Sequence, residues 1–311
     1  MLWEFQVTEE WRMRKQMLFI YNPKAGKGQI RSNLLDIIDV FVKAGYEVTA
    51  YPTQSAGDAV RAVRERRAGY DMVVCSGGDG TLDEVVAGMM QSTERLPIGY
   101  VPAGSTNDFA NSLKIPKNMK DAAKVVVNGR DFACDVGGFN DTHFIYVAAF
   151  GLFTDVSYET KQDLKNVLGH AAYLLEGVKR LSAIRSYPLR ITYDGKVIED
   201  EFLYGMVTNS YSVGGFRGIT GKNVCLDDGL FEVMLVKKPS LVRDLNGISQ
   251  AMADKRFHSE HILSFMTSDL VIESPEPLAW TLDGEFGGDH LCARIHNCHR
   301  ELCIKVPEQA E

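Results

Sequence analysis

The chain has 311 residues, 45% hydrophobic and 24% charged, which is enough for a sizeable core and favours two domains. Its net charge of −7 argues against a general nucleic-acid-binding protein. No apolar stretch is long enough to predict a transmembrane helix. Residues 1–16 form a predicted extension without a signal-peptide core, and the six cysteines lack the spacing of a secreted disulfide framework. We therefore expect a cytoplasmic protein.

The first half of the chain alternates predicted strands with predicted helices. Strands are predicted at 17–21, 46–51 and 97–101 and in the apolar run after Asp71, and helices after residue 28, over Thr53–Gly69 and up to Met90. This alternation predicts an α/β domain with a parallel sheet, in which ligands bind at the carboxyl ends of the strands.

The central stretch, residues 73–84, ends its apolar run in three glycines around Asp79 and becomes a helix near Thr81. Glycines let the backbone approach a bulky ligand, and the free N–H groups of a helix start suit phosphate. A carboxylate repels phosphate unless a divalent cation lies between them. The stretch therefore predicts a metal–nucleotide phosphate site, with a tight turn and a solvated Asp79 as the alternative.

Two more polar loops follow predicted strands of this domain. The loop at 22–28 has neither the Walker A spacing nor the third glycine of a dinucleotide-binding fingerprint, so a plain turn stays open for it. The loop at 102–108 carries hydroxyls, an amide and a carboxylate. The sequence predicts that both loops gather with 76–81 along one sheet edge, which favours a nucleotide site.

The second half begins near 130–140, where β-branched and aromatic residues replace the alternation. Strands are predicted at 132–139, 142–150, 291–295 and 302–306, and one helix is predicted near 240–255. Residues 162–184 predict an amphipathic helix, and 161–190 hold six Lys/Arg against two acidic residues. This basic segment either docks on an anionic membrane surface or packs on the β-rich domain with a solvated basic side.

The three loops and two later segments resemble the signature motifs of a known family. The matching stretches are Asn22-Pro23-x-Ala25-Gly26, Gly77-Gly78-Asp79-Gly80-Thr81-x-x-Glu84, Gly104-Ser105-Thr106-Asn107-Asp108-Phe109-Ala110, Leu226-Asp227-Asp228-Gly229 and Leu282-Asp283-Gly284-Glu285. Over about residues 17–306 they are similar to the diacylglycerol kinase catalytic family, in particular to the soluble, YegS-like bacterial lipid kinases related to sphingosine and ceramide kinases. Ser105 stands where the family usually has Thr, and it keeps the hydroxyl.

The resemblance implies an ATP- and Mg²⁺-dependent lipid kinase that converts diacylglycerol to phosphatidic acid. It implies that Glu285 is the catalytic base for the lipid hydroxyl and that Asp79 and Asp108 orient the magnesium ion. Gly284 predicts a bend in the chain that presents Glu285. The residues implied in nucleotide binding are Asn22, Pro23, Lys24, Ala25, Gly26, Thr53, Gly77, Gly78, Asp79, Gly80, Thr81, Leu82, Asp83, Glu84, Ser105 and Asn107. A structural magnesium site would use the Asp228 side chain and the carbonyls of Cys225 and Leu230.

The expected layout is an α/β nucleotide-binding domain at 17–135, similar to NAD kinases and phosphofructokinases, and a β-rich lipid-substrate sandwich at 136–290. Residues 291–311 would be C-terminal strands that return toward the first domain, and ATP would lie in the cleft between the domains. The expected partners are ATP and a lipid at the inner face of the membrane, with no nucleic acid and with a homodimer open. An NAD kinase and a non-catalytic lipid- or nucleotide-binding relative remain alternatives.

Overall fold

The computed structural model describes residues 14–151, 185–213, 216–217, 224–241, 244, 248 and 260–308. The basic helix predicted at 162–184 and nearly all of the helix predicted near 240–255 lie outside these residues. Within these ranges, no helix has both the length and the apolar character needed to cross a membrane.

The chain divides into two compact units. The first contains the described residues up to Ser105, Leu113–Phe132, and the described residues from Cys303 onward; the second contains Thr106–Ser112 and the described part of Ala133–Leu302. An α/β unit and a β-rich unit were expected, and both are present. Relative to the predicted limits, Thr106–Ser112, residues 133–135 and residues 291–302 fall in the second unit.

The first unit is a parallel sheet with helices. Its elements are β1 (Lys15–Tyr21), a 3-10 turn (Ala25–Gly28), α1 (Ile30–Lys43), β2 (Tyr46–Pro52), α2 (Asp58–Arg66), β3 (Met72–Gly77), α3 (Asp79–Met90), β4 (Ile98–Pro102), and, after the short helix α4 (Asp108–Ser112) of the second unit, α5 (Met119–Asn128). β1 pairs in parallel with β2 and β3, and β3 pairs in parallel with β4. All six residues of β3 are buried, because helices on both faces of such a sheet leave its central strand no water-facing side.

The second unit is built on antiparallel pairs. Its strands are β5 (Arg130–Phe139), β6 (Thr142–Phe144), β7 (Val147–Gly151), β8 (Tyr187–Tyr193), β9 (Lys196–Thr208), β10 (Ser212–Val213), β11 (Phe216–Arg217), β12 (Phe231–Lys237), β13 (Ile262–Thr267), β14 (Asp269–Leu282) and β15 (Glu285–Val306). β14 pairs with β7, β8 and β15, and β9 pairs with β7, β8 and β12. The core centres on the fully buried Trp280, whose ring centroid lies 5.0 Å from those of Phe139 and Phe150.

The C-terminal strand differs from its prediction. Two strands were expected at 291–295 and 302–306, whereas the structure has one strand, β15, from Glu285 to Val306. Within β15, Arg300 has a φ of 54°, which interrupts the regular geometry of the strand. The alternation of apolar with polar residues along the strand is also lost at this point. The first residues of β15 pair with β14, and Ile304 pairs in parallel with Ile98 of β4, within the first unit.

Candidate active site

Three loops of the first unit meet where their strands end. A Cβ added to Gly26, whose φ is 52°, would lie 1.9 Å from the carbonyl oxygen of Ala103. A Cβ added to Gly78 would lie 3.3 Å from the Cα of Gly104. The approach at Gly26 therefore requires glycine, and the one at Gly78 is tighter than an ordinary contact. The predicted gathering of these loops is therefore confirmed for the parts that belong to this unit.

Hydrogen bonds fasten the same loops together. The Asn22 N–H donates to the carbonyl of Ser76 at 2.8 Å, and the Ala103 N–H donates to that of Gly77 at 2.7 Å. The Asn22 amide also donates to the Thr81 hydroxyl at 3.4 Å. Thr53 is held next to the first loop by its N–H, which donates to the carbonyl of Tyr21 at 2.9 Å. The loops thus form a fixed backbone surface.

The surface includes the start of α3, which begins at Asp79, two residues earlier than the sequence suggested. Gly78 precedes it in extended conformation, and no side chain caps the helix, so N–H groups of its first turn are not taken up by a cap. The partial positive charge of a helix start favours an anion there. Leu82 is fully buried, so its side chain belongs to the core.

Glu84 has a different setting from the other residues expected to bind nucleotide. Its two carboxylate oxygens accept the N–H groups of Gly57, at 2.8 Å, and Ala59, at 3.0 Å, at the start of α2. The geometry makes Glu84 an anchor between α3 and α2. Burial first, and then the charges of Glu84 and Asp79, raise the pKa of the Cys75 thiol far above its usual value, so Cys75 is neutral.

The residues expected around Asp108 are divided between the two units. Ser105 is exposed and ends the first unit, whereas Asn107 and Asp108 belong to the second and are buried. Asn107 adopts a φ of 52°, which turns the chain into α4. The Ser112 hydroxyl at the end of α4 lies 2.8 Å from that of Ser210, which fixes this helix to the second unit.

Glu285 lies at the tip of the β14–β15 hairpin. Asp283 and Gly284, with φ values of 50° and 85°, form the two-residue turn, and Leu282 pairs with Glu285. The bend that was predicted at Gly284 is confirmed. Asp283 is 4% exposed, and its carboxylate accepts the backbone N–H groups of residues 145–147, whereas Glu285 is exposed.

The loop expected to hold a structural cation, residues 225–230 (here the cation loop), is fastened by Asp135. The Asp135 N–H donates to the carbonyl of Leu226 at 2.8 Å, and its carboxylate accepts the Gly229 N–H at 2.7 Å. Asp228 accepts the Leu230 N–H at 3.0 Å with one carboxylate oxygen. In the described ranges, no three His, Cys, Asp or Glu side chains are placed to share a metal, so a cation here would depend on carbonyls and water.

Two functional candidates were missed by sequence reasoning. Asp135 is fully buried, and its carboxylate accepts the Arg300 N–H at 2.8 Å and lies 3.0 Å from His299 Nδ1. A carboxylate inside the apolar strand Phe132–Phe139 was the available signal. The other is Asp283, which was seen only as part of a motif.

A backbone surface suited to phosphate in an α/β unit, and a carboxylate presented on a hairpin of a β-rich unit in the same chain, point to the class of phosphotransferases. Residues 16–139 match the family described as the diacylglycerol kinase catalytic domain, and residues 148–297 match the YegS C-terminal NAD kinase beta sandwich-like domain. The chain belongs to the diacylglycerol kinase family of lipid kinases.

Individual relatives cover nearly the whole chain. It is 34% identical to a diacylglycerol kinase of Bacillus subtilis (strain 168) over 95% of this chain and 97% of that one. It is 36% identical to a diacylglycerol kinase of Staphylococcus aureus (strain bovine RF122 / ET3-1) over 95% and 93%. A crystal structure of a diacylglycerol kinase from Bacillus anthracis str. Sterne superposes with a TM-score of 0.79 at 28% identity, covering 94% of this chain and 97% of that one.

Proposed function

We propose that this protein transfers the γ-phosphoryl group of ATP to a lipid hydroxyl, converting diacylglycerol to phosphatidic acid. The observation that carries the proposal is the backbone contact of Gly26 with Ala103 and of Gly78 with Gly104, beside the uncapped start of α3. Phosphoryl transfer depends mainly on positioning and charge neutralisation, and this surface supplies the positioning.

On the nucleotide side, we assign phosphate binding to the loop at 22–26 and to residues 77–81, with Thr53, Ser105 and Asn107 supporting the nucleotide. Asp79 and Asp108 would hold Mg²⁺, directly or through water. When bound, that ion supplies positive charge that offsets the charge of the phosphate oxygens. Glu84 holds the start of α2 and thereby keeps α3 in place.

On the acceptor side, we assign the general base to Glu285, which would take the proton of the lipid hydroxyl. The role suits Glu285 because its carboxylate is exposed at the tip of a hairpin. Asp283 holds the turn of that hairpin in place by accepting the N–H groups of Tyr146 and Val147. A positioned base contributes about 10²–10⁴-fold to a rate. A structural magnesium ion is assigned to Asp228 and the carbonyls of Cys225 and Leu230, where oxygen ligands suit a hard cation.

The lipid acceptor lies in a bilayer, so the proposal includes peripheral association with the inner face of the membrane. Flotation of the protein with vesicles containing phosphatidylglycerol, compared with neutral vesicles, tests this. A homodimer is a further expectation, which light scattering after size-exclusion chromatography tests.

The deciding experiment offers the protein radiolabelled ATP and magnesium with dioleoylglycerol, ceramide, sphingosine or phosphatidylglycerol in mixed micelles, and with NAD in solution. We expect label in phosphatidic acid, read by thin-layer chromatography. If only another lipid is labelled, that lipid is the acceptor and diacylglycerol is not. If NADP is labelled, the protein is an NAD kinase. Vesicle or nucleotide binding without any transfer would support the non-catalytic alternative.

A further inference from the structure

The strand that carries Glu285 has a β-bulge close to that residue. Phe286 and Gly288 of β15 pair with adjacent residues of β14, so Gly287 between them is an extra residue. Successive side chains of a strand point to opposite faces, so a bulge that shifts by one residue reverses the face of the residue that it passes. The direction of the Glu285 side chain therefore depends on the bulge keeping its place.

The ring of His290 packs on this bulge. Its Nε2 atom lies 3.0 Å from the carbonyl oxygen of Gly287. A Cβ added to Gly288, whose φ is 96°, would lie 2.8 Å from the same Nε2 atom. The ring also meets the buried ring of Phe139 edge to face, with the two centroids 5.3 Å apart. Packing therefore fixes the imidazole against the Gly287 carbonyl.

Asn140 determines which nitrogen of His290 carries the proton. The Asn140 Oδ1 accepts the Arg294 N–H at 2.9 Å, and its Nδ2 donates to the Cys292 carbonyl at 3.3 Å, which fixes the orientation of the amide. The same Nδ2 lies 3.2 Å from His290 Nδ1. Because an amide nitrogen only donates, Nδ1 accepts. The proton of the neutral ring is therefore on Nε2, which donates it to the Gly287 carbonyl.

We propose that His290 is a positioning residue for Glu285. Its neutral ring, held by Asn140, donates to the Gly287 carbonyl and so keeps the bulge where the strand presents the base. This rests on the proposed function, in which Glu285 is the general base. Asp283 fixes the turn before Glu285, and His290 fixes the strand after it. A base that is fixed on both sides keeps the geometry that proton transfer needs.

The test compares three variants of His290 with the wild type, using ATP, magnesium and dioleoylglycerol micelles. His290→Gln keeps an N–H group that can reach the Gly287 carbonyl. His290→Asn keeps an acceptor for Asn140 on a side chain too short to reach Gly287, and His290→Phe keeps only the packing of the ring. We expect kcat to fall by about 10- to 100-fold in His290→Asn and His290→Phe, since a displacement of about 1 Å at a reacting group can cost about 10²-fold. His290→Gln should retain most of the wild-type kcat, and the KM for ATP should not change.

His296→Asn is the matched control, because His296 is an exposed histidine of the same strand outside the bulge. Its kcat should equal that of the wild type. An active wild type with the same kcat in His290→Asn would overturn this inference and leave the proposed function intact, as would equal losses in all three His290 variants. If the wild type transfers phosphate to no lipid, the proposed function is wrong and the role of His290 with it.

A second measurement reads the ring itself and does not depend on activity. Long-range ¹H–¹⁵N NMR spectra of histidine-labelled protein identify the tautomer of each ring, and the loss of one signal in His290→Gln assigns that signal to His290. We expect the Nε2–H tautomer for His290 in the wild type. The Nδ1–H tautomer would contradict the hydrogen bond to Gly287 and overturn the inference.

Discussion

Tyr146 and Asp283 are hydrogen-bonded to each other twice. The Asp283 carboxylate accepts the Tyr146 N–H at 3.0 Å, and the Tyr146 hydroxyl donates to the Asp283 carbonyl at 3.0 Å. The same carboxylate accepts the N–H groups of Ile145 at 2.5 Å and Val147 at 2.9 Å. One buried side chain therefore fixes the turn from which Glu285 projects.

We predict that Asp283→Asn lowers kcat by at least tenfold, because the amide removes one acceptor oxygen and lets Glu285 move. The measurement is a double-mutant cycle with Glu285→Gln: if Asp283 acts through Glu285, adding Asp283→Asn to Glu285→Gln changes kcat little.

The control for this cycle is Tyr146→Phe, which removes only the hydroxyl bond to the Asp283 carbonyl and should have a smaller effect. If the two substitutions instead lower kcat independently, so that their losses multiply in the double variant, Asp283 stabilises the fold and does not act through Glu285.

Glu285→Gln should retain ATP binding and lose about 10²–10⁴-fold in kcat, because the amide keeps the size of the side chain but accepts no proton. Quenched-flow assays with diacylglycerol micelles and fluorescent ATP-analogue titration measure the two quantities. Turnover near that of the wild type would remove Glu285 from the role of base.

Gly26→Ala should abolish ATP binding, since the added Cβ would overlap the Ala103 carbonyl and push two loops apart. Gly45→Ala is the matched control: its φ is 88°, but nothing lies within 4 Å of its added Cβ. Both variants should lose about 1–2 kcal/mol of unfolding free energy from backbone strain. Gly26→Ala should lose more because of the overlap, and only Gly26→Ala should lose nucleotide. Equal ATP affinities in the two variants would contradict the phosphate surface.

Phe286 is 57% exposed and follows the proposed base directly, so it can contact the lipid near the reacting hydroxyl. We expect Phe286→Ser to raise the KM for diacylglycerol in micelles several-fold without changing that for ATP. Leu35→Ser, at an 82% exposed residue of the first unit, is the control. An equal rise in the KM for diacylglycerol in both variants would show that the effect comes from surface hydrophobicity in general and not from a contact of Phe286 with the lipid.

The Glu232 carboxyl predicts a pH dependence of stability in EDTA. Burial first, and then Asp228, raise its pKa from 4.5 to about 8. The folded state therefore holds a proton that the unfolded state has lost between these values. Its contribution is fully present below pH 4.5 and is lost as pH rises toward 8, by up to about 1.4 kcal/mol per pH unit.

Glu232→Gln should flatten this slope in urea unfolding curves taken from pH 5 to 8, because the amide does not titrate. The same slope in the variant and the wild type would show that another group is responsible.

Sequence reasoning located the glycine loops because it used two features that are local in the chain: the alternation of strands with helices, and the residue types of the loops between them. It also located the bend at Gly284, since Asp-Gly is a strong turn signal. It did not find the partners of Asp283 or Glu84. Those partners are backbone N–H groups, 136–138 residues away for Asp283, and main-chain donors carry no side-chain signature.

The C-terminal residues are integral to the first unit. Ile304 is fully buried and pairs with Ile98, Lys305 forms an ion pair with Asp131 at 2.7 Å, and the Val306 carbonyl leaves no room for a Cβ on Gly129. During synthesis on the ribosome, the nascent amino-terminal half must wait for nearly the entire polypeptide to emerge before its sheet is complete. Premature termination shortly before residue 303 would consequently leave the first unit without its last strand partner, even though nearly the entire coding sequence had been read.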